Sequence, residues 1–132
     1  MMGAVAKGVH DNGGNITAIA PDWINEFDDP FKGHDEYIKT DSMDERKKLF
    51  LEKSDVFIIA PGGIGTLDEF FDVLTLKYLN RHSKKIILFN INHFYDRMIE
   101  MLCEMHDEGL IREGALDIFE VADSPDEIFD LL

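Results

Sequence analysis

Asp55-Val56-Phe57-Ile58-Ile59-Ala60-Pro61-Gly62-Gly63-Ile64-Gly65-Thr66-Leu67-Asp68-Glu69 is the stretch whose reading decides the fold. Its first part is a run of apolar, largely β-branched or aromatic residues with no polar alternation, the pattern of a strand covered on both faces. Three glycines within four residues follow, and Thr66 to Glu69 carries the Ser/Thr-x-x-Glu spacing that opens helices. A strand, a tight turn and a helix in immediate succession form the building unit of a parallel α/β sheet.

The same rhythm extends outward. Asn15 to Ala20 and Lys85 to Asn90 are further β-rich runs, and Asp117 to Val121 is a weaker one. Helix starts are marked at Ser42 to Glu45 and at Ser124 to Glu127, where Pro125 occupies the favoured first position. Leu67, Phe70, Phe71, Leu74 and Tyr78 make one apolar stripe, read as core, and a long helix is predicted from Phe94 to Glu108 with its stop at Gly109. Met1 to Val9 reads as a helix with no cap and no leading strand. Residues 22–45, with nine acidic residues against two lysines and with Pro30 and Gly33 as punctuation, read as a solvated loop or as one that closes over a pocket. The predicted architecture is a single Rossmann-like domain over residues 1–132, a three-layer parallel sheet with helices on both faces.

Composition narrows the function classes. The chain has 132 residues, 45% of them hydrophobic, and 13 basic against 27 acidic residues, a net charge of −14. That much negative charge opposes nucleic-acid binding. The longest apolar run, Val56 to Ala60, is far short of the roughly 20 residues of a membrane helix, so no membrane partner is expected. The N-terminus has no signal-peptide pattern and Cys103 stands alone, which predicts a cytoplasmic protein without disulfides. Cys103, among Met101, Leu102 and Met105, reads as a buried small hydrophobe. The histidines show no metal-ligand spacing, and neither a metal nor a cofactor is expected.

The glycine turn carries the strongest chemical signal. Glycines allow positive φ and close approach of backbone N–H groups to a ligand, and the following helix aims its positive end at the same point. Together they suit a phosphate at the carboxyl end of a strand; a ligand-free tight turn is the competing reading. The spacing matches neither a Walker loop nor the dinucleotide fingerprint. Met43-Asp44-Glu45-Arg46-Lys47-Lys48 gathers three cations in the first turns of the preceding helix, where the helix dipole disfavours them. From there Arg46 reaches toward the sheet's carboxyl edge, either for a substrate anion or as part of a solvated basic face.

Met43-x-x-Arg46-Lys47 followed by Pro61-Gly62-Gly63-x-Gly65-Thr66-x-x-Glu69 resembles the paired signature of the LONELY GUY (LOG) family, the cytokinin riboside 5′-monophosphate phosphoribohydrolases. Gly3 to Ala6 looks like the end of that family's Gly-Leu-Met-Gly-x-Val-Ala stretch. Phe89 to Tyr95 resembles its Leu-Leu-Asn-x-x-Gly-Tyr-Tyr segment. Family members carry a further strand, helix and strand before this point, so the chain is expected to be a shortened form.

The resemblance implies hydrolysis of the N-glycosidic bond of a purine nucleoside 5′-monophosphate. Glu69 would stabilise the oxocarbenium-like transition state and orient water, and Arg46 would position the substrate. Gly62, Gly63, Ile64, Gly65 and Thr66 would hold the phosphate, with Met43 and Lys47 lining the pocket and Asp28 as a further nucleotide contact. It also implies a homodimer or larger homo-oligomer. Glu69 has a competing role as the end of the Thr66 capping box. A non-catalytic carrier of a nucleotide or other phosphorylated molecule is the alternative function. The label lysine decarboxylase, often attached to such proteins, fits poorly, because a pyridoxal enzyme needs a cofactor lysine in a large site.

Overall fold

The computed structural model describes residues 2–21, 23 and 33–132. They group into two compact units, Met1–Ser54 and Asp55–Leu132, and each is treated in its own right.

In the first unit, helix α1 (Met2–Asp11) is followed by strand β1 (Thr17–Pro21), strand β2 (Glu36–Thr40) and helix α2 (Met43–Lys53). The strands pair in parallel, with Thr17 opposite Glu36 and Pro21 opposite Thr40. Asp35 anchors the register: its carboxylate accepts the Ile16 amide at 2.8 Å, while the Asp35 and Glu36 amides donate to the Ile16 carbonyl. Strand β2 lies within the segment read from the sequence as loop. Glu36 and Lys39 flank its only apolar pair, Tyr37 and Ile38, so no longer apolar run marks it. Pairing with β1 makes the strand. Helix α2 starts as predicted: Ser42 Oγ accepts the Glu45 amide at 3.1 Å, and the Glu45 carboxylate accepts the Asp41 amide at 2.7 Å.

The second unit runs β3 (Val56–Ile59), α3 (Ile64–Tyr78), β4 (Lys85–Phe89), a 3-10 turn (Ile91–His93), α4 (Asp96–Asp107), β5 (Glu120–Ala122) and α5 (Pro125–Leu131). Its sheet is parallel, in the order β3-β4-β5. Successive side chains of a strand point to opposite faces. From β4, Ile86 and Leu88 pack with Phe70 and Val73 of α3 and Leu102 of α4, whereas Ile87 packs with Ala122 and Ile128 of α5. Helices therefore cover both faces of this sheet, the predicted three-layer arrangement. It also explains the continuous apolar run of β4, where Ile86, Ile87 and Leu88 are fully buried. Phe70 stacks edge-on to Phe119 at 5.7 Å in the same core.

Helix α4 ends before Gly109, whose φ of +76° suits the stop read from the sequence. Cys103 does not behave as read: it is exposed. Leu102 takes the buried stripe, and one residue along a helix turns a side chain about 100° away. Among the described residues, no helix is long and apolar enough to cross a membrane.

Candidate functional site

Strand β3 hands over to α3 through Ala60-Pro61-Gly62-Gly63. The helix cap is Gly63, with φ −91° and ψ −157°, and no side chain caps it. Thr66 is the third residue of α3 and Glu69 the sixth, so the capping box expected at Thr66 is not formed. A capping residue needs extended backbone, and that conformation sits at Gly63. Glu69 therefore closes no capping box with Thr66. The first-turn amides of α3, from Ile64 to Thr66, have no acceptor within the helix, and they form the donor set to which anions bind.

The loop glycines divide into two kinds, and none has the positive φ expected of them. A Cβ on Gly62 would lie 2.2 Å from Thr66 Oγ1 and 2.8 Å from Thr66 Cβ, so the chain's own packing demands glycine there. A Cβ on Gly63 or Gly65 would meet nothing within 4 Å. Their bareness keeps backbone amides open to something outside the chain. Ile64, between them, is 88% exposed. Glu69 follows Gly65 by four residues and Thr66 by three, which places it on the same side of the helix, about 6 Å further along the axis. It is half-buried.

Behind the loop stands Tyr95, only 3% exposed. Its phenol donates to the Ala60 carbonyl at 2.8 Å, and the Gly62 backbone amide bonds to the phenol oxygen. Burial raises the phenol above its usual pKa, and the Gly62 amide offsets part of that shift, so the group stays a neutral donor at neutral pH. The Tyr95 amide in turn donates to Asn90 Oδ1 at 2.7 Å, and Asn90 Nδ2 donates to Asp96 at 2.8 Å and Asp123 at 3.2 Å. Asn90 is buried at the end of β4. Sequence reading assigned neither residue a role; an Asn closing an apolar strand is the signal that was present. The backbone between them is unusual, with Asn92 and His93 both at positive φ, 56° and 58°.

In the first unit, Arg46 Nε donates to the Ile19 carbonyl at 3.0 Å, and its guanidinium lies 4.7 Å over the Phe50 ring. Arg46 thus reaches the middle of β1, and these contacts offset its unfavourable place near the start of α2. Met43 is the first residue of α2, and Lys47 follows Arg46 on the same helix; both are half-buried. Asp28 lies outside the described residues.

A cavity of about 300 Å³ opens between α3, α4 and residues 110–118, lined by side chains such as Phe71, Leu74, Leu102 and Met105. It is apolar and offers a phosphate nothing. Among the described residues, no group of three or more His, Cys, Asp or Glu is placed to hold a metal.

Comparison with known proteins gives a consistent picture. Residues 2–132 match the family model described as "Possible lysine decarboxylase". The chain is 36% identical over 123 residues to the cytokinin riboside 5′-monophosphate phosphoribohydrolase of Mycobacterium tuberculosis, covering 93% of this chain and 66% of that one. It is 30% identical over 132 residues to phosphoribohydrolase LOG2 of Arabidopsis thaliana, covering 100% of this chain and 62% of the relative. With LOG5 of the same plant the identity is 31% over 132 residues, covering 100% and 58%. The chain spans about three fifths of the length of the curated relatives it matches. The chain belongs to this family, the LOG family.

Proposed function

We propose that this member of the LOG family hydrolyses the N-glycosidic bond of purine nucleoside 5′-monophosphates, cytokinin-type or adenosine, to free base and ribose 5-phosphate. The observation that carries the reading is the start of α3: uncapped by any side chain, approached through Gly63 and Gly65, and bearing the Glu69 carboxylate one turn further on the same side. The names of the relatives support it.

In this reading the 5′-phosphate rests on the α3 amides around Gly62, Gly63, Ile64, Gly65 and Thr66, where the helix dipole and N–H donors favour two negative charges. Glu69 faces the sugar. As the bond from the anomeric carbon to the base nitrogen breaks, positive charge grows on the ring, and the carboxylate stabilises it and orients a water. The water oxygen bonds to the anomeric carbon, and its proton ends on the departing base. Arg46 positions the anionic substrate, with Met43, Lys47 and Asp28 as further nucleotide contacts; these roles rest on the family motif. The same reading makes the protein a cytoplasmic homo-oligomer, in keeping with its single exposed cysteine.

The test is incubation of the purified protein with AMP and with N6-isopentenyl AMP, followed by chromatography for base and ribose 5-phosphate. Glu69→Gln is expected to fold and bind as the parent does while losing about 10²–10³ in rate. Turnover by Glu69→Gln at the parent's rate removes Glu69 from the mechanism. Nucleotide binding by the parent without base release replaces the hydrolase with a carrier.

A further inference from the structure

Resting on the phosphate site just proposed, we infer that Tyr95 is its positioning residue, a buried clamp that sets the glycine loop in its ligand-ready shape before any phosphate arrives. Anion cradles made of backbone amides have no side chain with which to hold their own geometry. Here Tyr95 supplies the hold from behind: it ties the Ala60 carbonyl on one side of Pro61 and the Gly62 amide on the other to a single phenol oxygen. The phenol is itself fixed, because the Tyr95 amide is bound to Asn90 Oδ1, and Asn90 is held by both Asp96 and Asp123. The chain of contacts runs from the ends of β4 and β5 into the loop after β3, all within the second unit. Tyr95 is too deeply buried to touch a ligand, so its effect passes through the loop.

A preorganised cradle binds more tightly because little ordering remains to be done on binding. Tyr95→Phe keeps the ring in the core and removes only the oxygen that joins Ala60 to Gly62. Its expected signature is a phosphate-binding defect: ribose 5-phosphate, titrated by calorimetry, binds about tenfold more weakly than to the parent, the worth of one hydrogen bond of this kind. The KM for AMP rises by a similar factor while kcat stays within about threefold. Unchanged affinity for ribose 5-phosphate, or a fall in kcat at unchanged KM, overturns the clamp and leaves the nucleotide reading standing. Failure of the parent to bind ribose 5-phosphate or AMP overturns both. Should Tyr95→Phe not fold, the unaltered chain carries the test through hydrogen exchange. A Gly62 amide protected without ligand supports the clamp, and exchange at the rate of a free loop amide overturns it.

Discussion

Gly62 and Gly63 are adjacent glycines that lack a side chain for opposite reasons. At Gly62 the space is taken by Thr66, so Gly62→Ala forces the start of α3 to shift and is expected to cost about 1–3 kcal/mol of stability. At Gly63 the space is open, so Gly63→Ala is expected to cost only about 0.5–1 kcal/mol, the difference between glycine and alanine as a helix cap, and yet to weaken ribose 5-phosphate binding by blocking the amides. Denaturant unfolding and calorimetry on the two variants separate the cases; equal loss of stability in both, with binding retained, makes the loop an ordinary turn. His93 is the converse, a residue with a Cβ at positive φ.

Helix ends show how far local patterns carry. At α2 and α5 the Ser-x-x-Glu spacing forms the capping contacts it predicts, with Ser42 and Ser124 accepting from Glu45 and Glu127. In both, the glutamate reaches back one residue beyond the cap, to the Asp41 and Asp123 amides. At α3 the same spacing is silent, because the helix has already begun at the glycines. Ser42→Ala is therefore expected to cost about 1 kcal/mol, and Thr66→Ala to show no such loss, since its hydroxyl caps nothing. Equal losses in equilibrium unfolding contradict the assignment of the α3 cap to Gly63. Strand β2 fails in the other direction. Its mixture of charged and apolar residues has no strand signal of its own, and only the ladder with β1 makes it one.

For the whole chain, the net charge of −14 has a thermodynamic consequence. Self-repulsion among exposed carboxylates is screened over roughly 8–10 Å once salt approaches 0.1–0.15 M, so the melting temperature is expected to rise from low salt to that range. A small phosphate ester acts differently. By binding only the folded chain, ribose 5-phosphate should raise the melting temperature beyond a chloride control of equal ionic strength, and the excess should grow with its concentration. Absence of that excess in thermal melts counts against a local phosphate site, whatever the salt effect.

What the sequence determined by itself follows from short-range physics. Continuous apolar runs, helix periodicity, serine caps and a cluster of glycines act over a few residues, and from these came the parallel α/β class, the strands β1, β3 and β4 and the place of the glycine loop. The tertiary structure alone decided that β2 exists, that Cys103 faces outward, that Gly63 caps α3, and that the Tyr95 phenol bonds to the Ala60 carbonyl. Tyr95 and Ala60 are 35 residues apart, and Arg46 and Ile19 are 27 apart. Contacts of that separation depend on how strands order and helices pack, which no local pattern encodes.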